Sequence, residues 1–321
     1  MTKILGRQVS FGIGKETVRG TAVAAEYWLP FAECDIENKV ETVIDDASLA
    51  RVEDSDGMSV VSTWGEGAIK GKVKDKSIGL LFLSLLGTDT VGAVEAGVKD
   101  HVFTVLQTTQ RPSLTISLKD ANRDERFANA VVDNLKLDAE LGKFVMYEAD
   151  ILSKASAAGA NTVAHAVEND FVPQMVTFKK AVNLAGLGAA SAIPIRNFSI
   201  TFKNNSLKED VLGAAAPNDI VNQSLAVEGV ITLVHNDTTF SAMQAAETYN
   251  ALRFTILHTV TIGASSKPTI TIDLARARVY DYERNVDING LVEETFSFKG
   301  FYSIADSQLV QVTVRNAVTA Y

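Results

Sequence analysis

The chain of 321 residues has one cysteine, Cys34. It can form no intrachain disulfide, and no thiolate cluster can hold a metal. Folding in a reducing compartment is the natural expectation. Only four histidines occur, and none are spaced His-x-x-His or His-x-x-x-His, so helical metal pairing is absent. The longest apolar run, Ile78 to Leu86, has nine residues, against the roughly 20 of a membrane-spanning helix. The first residues, Met1 to Glu16, lack the apolar stretch of a signal peptide. A soluble protein made in a cytosol and not exported by the standard route is expected. Basic residues are also short: 30 Lys and Arg against 39 Asp and Glu, a net charge of −9. Gripping nucleic acid needs concentrated Lys and Arg, which this balance opposes.

What is present is globular: 46% hydrophobic and 21% charged residues exclude a disordered chain. Four pairs of segments match in the same order along the chain. Leu29-Pro30-Phe31 with Ile36 and Lys39 matches Ile193-Pro194-Ile195 with Ile200 and Lys203. Glu66 to Ile69 matches Glu228 to Ile231, Phe103 to Leu106 matches Phe254 to Leu257, and Pro112 to Leu118 matches Pro268 to Leu274. Collinear matches imply an internal repeat. Period-two alternation marks strands at Leu114, Ile116, Leu118; at Ile270, Ile272, Leu274; and at Val310, Val312, Val314. One helix per repeat is expected, at Ser77 to Leu86 ended by Gly87, and at Phe240 to Leu252 with a stripe of Phe240, Met243, Ala246 and Ala251. The predicted fold class is mainly β, two tandem β-sandwich or half-barrel modules with one short helix each. The predicted organisation is an N-terminal arm over 1–25, a first module over 26–154, a connecting segment over 155–180 and a second module over 181–321.

No enzymatic constellation is visible. Gly12-Ile13-Gly14-Lys15 lacks P-loop spacing, and Glu16 would repel phosphate. Asp54-Ser55-Asp56-Gly57 begins like a calcium loop, but the position of its closing glutamate is Gly65. Gly-x-Ser-x-Gly does not occur. Paired carboxylates such as Asp45-Asp46 read as solvated surface, and Trp28 and Trp64 as strand or interface residues. The expectation is no catalytic residue, no cofactor and no metal.

The opening segment, Phe11-Gly12-Ile13-Gly14-Lys15-Glu16-Thr17-Val18-Arg19-Gly20-Thr21-Ala22-Val23 followed by Tyr27-Trp28-Leu29-Pro30, resembles the start of long-tailed phage tail tube proteins, or major tail proteins. The strand Gly67-Ala68-Ile69-Lys70-Gly71 and the helix after it follow in the same order. The resemblance implies a tube fold whose copies join inner sheets into rings that stack into a hollow tail passing DNA. Two modules per chain would close a sixfold-like ring with three copies. It further implies residence in the virion tail, assembly in the bacterial host cytoplasm, no membrane and no specific DNA binding. The implied partners are the tail tip or initiator, tape measure and tail terminator proteins. Candidate contacts between subunits or rings are Phe11, Lys15, Glu16, Arg19, Trp28, Asp45, Asp46, Arg51, Asp54 and Asp56. Residues 33–56 hold nine acids and two bases, most of the chain's imbalance; a solvated loop and an inter-ring contact stand as equal readings. A carbohydrate- or cell-binding β-sandwich at a tail tip or surface is the alternative function, and an enzyme on a duplicated β-scaffold a third.

Overall fold

The computed structural model describes residues 3–47, 50–52 and 57–321. The first half contains β1 (Ser10–Lys15), β2 (Tyr27–Leu29), β3 (Phe31–Cys34), β4 (Glu37–Asp45), β5 (Gly57–Lys72), α1 (Ile78–Leu86), β6 (Thr90–Glu95), β7 (Val98–Thr104), β8 (Leu114–Lys119), β9 (Asp124–Glu140) and β10 (Met146–Lys154). After β11 (Ala157–Ala158) come β12 (Val176–Ala181), β13 (Ala192–Ile193), β14 (Asn197–Lys203), β15 (Ser206–Glu209), β16 (Asp219–Asn222), β17 (Ala226–Val234), α2 (Thr239–Ala245), β18 (Asn250–Leu257), β19 (Thr269–Asn285), β20 (Glu293–Phe301) and β21 (Val310–Asn316). All strand pairings are antiparallel.

Each half is built around one 17-residue strand, β9 or β19, that belongs to two sheets. The C-terminal part of β9 lies in the order β4–β5–β10–β9, and its N-terminal part in β9–β8–β1–β2. β19 does the same in β14–β17–β20–β19 and β19–β18–β12–β13. The registers agree in detail. β10 and β20 each have nine residues alternating half-buried and buried. The β9–β10 ladder skips Asp133 and the β19–β20 ladder skips Tyr280, a spacing of 147 (280 − 133) that also separates Met146 from Glu293. A second bulge interrupts β8–β9 between Leu114 and Ile116, and β18–β19 between Asn250 and Leu252. Bulges bend a strand and increase its twist, which lets one long strand leave one sheet and enter another.

The pairing differs from the sequence matches in two places. Glu33↔Lys70 and Lys39↔Trp64 stand where Asn197↔Thr232 and Lys203↔Ala226 stand, as the first two matches imply. The other two matches are one strand out: in pairing position β8 corresponds to β18, not to the Ile270–Leu274 part of β19. Short β-alternations drawn from the same few residues match too easily to fix which strand is which. β7 instead joins β6 to β21. Residues 10–15, expected in an arm, form β1 with four buried positions, paired with both β8 and β2. The expected connecting segment contributes β11 to β9 and β12 to β18.

Helix α1 agrees with its sequence signal. All nine residues are buried, and Gly87 closes it in the left-handed region at φ 100°, its N–H donating to Leu83 O. The second helix is shorter than the expected Phe240 to Leu252. Glu247 turns the chain at φ 53°, and Asn250–Leu257 becomes β18, flanked by β12 and β19. Of the expected stripe, Phe240 and Met243 do face the core, Ala246 is exposed just after the helix, and Ala251 is buried in a sheet together with Leu252. Ladder bonds on both edges outweigh weak helical propensity. One hydrophobic cluster runs through both halves: Phe82 of α1 packs against Phe103 at 6.1 Å and Phe202 of β14 at 6.3 Å between ring centroids.

The helix seat leaves no spare volume. A Cβ on Gly79 would lie 2.1 Å from the Tyr321 ring. Gly79→Ala should lower unfolding free energy by about 1–3 kcal/mol through overpacking, measured by denaturant titration; an unchanged midpoint would contradict this packing.

Candidate assembly surface

The two halves meet edge to edge. β9 pairs with β14 from Asn134↔Lys203 to Glu140↔Asn197, giving one continuous sheet in the order β4–β5–β10–β9–β14–β17–β20–β19. At this junction Leu135, Leu137 and Ala139 face the core with Phe202, Ile200 and Phe198. The opposite face is polar and open, and four of its lysines are held by carboxylates. Lys70 reaches Glu148 at 3.2 Å, Lys136 reaches Asp138 at 2.8 Å, and Lys203 and Lys299 share Glu228 at 3.3 and 2.9 Å. The Glu228 carboxyl sits below the ordinary range, chiefly because Lys299 hydrogen-bonds it. The core side of the junction is pinned by Arg111, whose guanidinium donates to Leu85 O at the end of α1 and to Asn204 Oδ1. Burial pulls the Arg111 pKa down to about 10.

The continuous sheet ends in two edges that no strand covers among the described residues. One is the outer edge of β3 and β4, which pair only with β5. The other is β19 beyond Ala277. β18 covers β19 as far as Ala277, as β8 covers β9 as far as Ala130. Past that point β9 has β14 as a second neighbour, whereas Asp281 to Asn285 pair only with β20. Tyr280, Asp281 and Glu283 to Asn285 are exposed. Beyond the body, β4 and the start of β5 form a hairpin with two unlike faces. Val40, Ile44, Met58 and Val60, exposed by 54–67%, share one face with Thr42 and Thr63; Glu41 and Asp45 lie on the other. The corresponding hairpin of the second half, β15–β16, folds back onto the first half. There Lys208 Nζ lies 3.1 Å from the Trp64 ring centroid and Asn222 N–H donates to Thr109 O.

The loop after β1 ties the halves together. Glu16 is buried and accepts hydrogen bonds from Gly20 N–H, Ser113 Oγ, Thr115 Oγ1 and Asn129 N–H. That holds the loop so that Arg19 reaches across to β16. Its Nε donates to Asp219 Oδ1 at 2.7 Å, and its other nitrogens donate to Arg111 O and Ile220 O. Asp219 also accepts from Gln110 and Asn129. Burial acts to raise the Asp219 carboxyl, but hydrogen bonds from Asn129, Arg19 and Ile220 N–H outweigh it and hold it below the ordinary range. Folding thus favours its ionised form, so its contribution is complete above about pH 4 and is lost as pH falls through the lowered value. Asp219→Asn should flatten the acid-side fall in Tm while lowering Tm at pH 7, read by thermal melts across pH 2–7; an unchanged acid limb would exclude this role.

Of the ten sequence candidates, five act inside the chain. Phe11 and Trp28 are buried, Glu16 and Arg19 form the network above, and Lys15 Nζ donates to Tyr321 O at 2.7 Å. Asp45, Asp46 and Arg51 are exposed at the tip of the hairpin. Asp54 and Asp56 lie outside the described residues. The structure does not gather the ten into one site. The second sheet edge, at Tyr280 to Asn285, carried no sequence signal, because its polar residues read as a loop once the alternation of Ile270 to Leu274 had ended; only the length of β19 reveals it. Among the described residues no group of three His, Cys, Asp or Glu could hold a metal, and no helix is long and apolar enough to cross a membrane.

A comparison with curated proteins gives no match. The family described as phage tail tube protein matches residues 6–300. That span takes in β1, both bulged strands, the β9–β14 junction and both uncovered edges, and the chain belongs to the phage tail tube protein family.

Proposed function

We propose that the chain is a structural subunit whose copies close into rings of three, and that the rings stack into the hollow tube of a phage tail. The observation that carries this reading is the β9–β14 junction. It joins two halves of matching register inside one chain and leaves the equivalent strands, β4 and β19, uncovered at the ends. A duplicated tube module explains the shared bulges and the equal strand lengths. It also explains the shape of the edges: what β14 does for β9, β3 and β4 of the next copy would do for β19. The repeated interface is heterologous, and a heterologous contact whose rotation closes generates a ring.

The two unlike faces of the continuous sheet would set the sides of that ring. Both helices and the second sheets lie on the core side of the continuous sheet, so closure puts that bulk outside and the polar face inside. A bore lined by lysines already paired to Glu148, Asp138 and Glu228 gives DNA no ladder of free cations to bind. Tail tip or initiator, tape measure and terminator proteins would meet the ends and the bore of such a tube.

Negative-stain electron microscopy of concentrated purified protein tests the reading. Hollow tubes or rings with three repeats are expected. Persistent monomers that bind glycans would replace it with the adhesin function.

A further inference from the structure

The tail-tube reading leaves open which residues meet where one copy joins the next. We infer that β3 and β4 of one copy pair antiparallel with β19 of its neighbour in one defined register, fixed by the junction already present inside the chain. The inference rests on the ring reading and adds the register and its electrostatics.

Two fixed spacings carry the internal register outward. Positions of β14 lie 164 residues (197 − 33) after their counterparts in β3 and β4, because Asn197↔Thr232 and Lys203↔Ala226 repeat Glu33↔Lys70 and Lys39↔Trp64. Positions of β19 lie 147 residues after their counterparts in β9, as the common bulge at Asp133 and Tyr280 requires. Within the chain, Lys203 faces Asn134, Thr201 faces Lys136, Ile200 faces Leu137 and Phe198 faces Ala139. Between copies, Lys39 therefore faces Asp281, Glu37 faces Glu283 and Ile36 faces Arg284, and Cys34 comes opposite Val286, the first residue after β19. A slip of one residue would turn every side chain to the wrong face.

The chemistry of these pairs differs from that of the internal junction. Inside the chain the core row is Phe198, Ile200 and Phe202 against Ala139, Leu137 and Leu135, closed to water. Between copies the row is Cys34, Ile36 and Asn38 against Val286, Arg284 and Tyr282, a weaker apolar contact. On the open face Lys39 and Asp281 attract, whereas Glu37 and Glu283 repel. Lys39 already pairs with Glu37 at 2.5 Å and Lys70 with Glu33 at 3.2 Å, which tempers the repulsion without removing it, since both acids remain largely exposed. Charged side chains on a free edge are a common guard against indiscriminate strand pairing. Here the guard is placed on both edges that must meet, so the free subunit resists association at low salt, and screening or a preformed ring end overcomes it.

The single native cysteine makes the register readable. Val286 is 62% exposed, so Val286→Cys should be tolerated. Opposed residues across antiparallel strands have Cβ atoms about 4.5–5.5 Å apart, close to disulfide reach, while diagonal neighbours lie beyond it. Assembled tubes of Val286→Cys, treated with diamide and run on a non-reducing gel, should give a covalent trimer, three links closing one ring. Arg284→Cys tubes, with the new thiol at the diagonal position inside β19, should give far less. Tubes in which this control links best overturn the register, and tubes in which neither links overturn the edge pairing. Wild-type protein that forms neither rings nor tubes overturns the functional reading itself, which separates the two failures. Should Val286→Cys not assemble, Glu283→Lys decides: opposed to Glu37, it should assemble at about five-fold lower protein concentration in low salt. An unchanged critical concentration overturns the register.

Discussion

The structure depends on one demand, that the backbone N–H and C=O groups along a strand edge find partners. An uncovered edge is a template for another strand. This chain meets the demand at its centre by pairing β9 with β14 and so makes one sheet of its two halves. Everything nearby serves that junction. The bulges at Asp133 and Asn129 bend β9 out of its first sheet and into the second. Arg111 bridges the end of α1 to Asn204 just after β14. Glu16 shapes the loop that lets Arg19 clasp β16. Because the core cluster crosses the junction, neither half has a separate interior to retreat to.

The same demand remains at the outer ends of the sheet. No strand among the described residues covers the outer edge of β4 or that of β19 beyond Ala277. Strand edges of this kind are how a β-scaffold can serve a structural family. The energy lies in ladders and in side-chain rows along them, spread over a surface with no focal residue. The ion pairs on the open face, such as Lys136 with Asp138, add little stability at such exposure. Their consequence is that each of these lysines meets a carboxylate on that face.

The sequence announced the strand-rich character, the helix ended by Gly87 and the alternation at Val310 to Val314, because each follows from local periodicity or from a capping residue. It also contained the correspondence of Ile36 with Ile200 and Lys39 with Lys203, which the register repeats. It concealed what depends on partners distant in the chain. Phe11 and Trp28 are buried within the chain through the pairing of β1 with β8 and β2, which brings together residues about a hundred positions apart. Ala251 fits a helical stripe in the sequence, but the segment that carries it is β18, paired with β12 and β19 on its two edges. The exposed end of β19 was invisible because charged residues on an unpaired strand and charged residues in a loop have the same composition.

The two hairpins give this sheet a difference that its strands do not have. β15–β16 lies folded against the chain's own first half, while β4–β5 extends with Val40, Ile44, Met58 and Val60 bare on one side. In a three-copy ring the strand wall would repeat six times per turn, but the projections would alternate, three extended and three tucked. Such a surface is a keyed thread. A partner of threefold symmetry would find every extended hairpin in an equivalent place, while a sixfold partner would meet unlike neighbours at every second position. In the proposed tube the extended β4–β5 hairpin would thus be a feature that the other components could count.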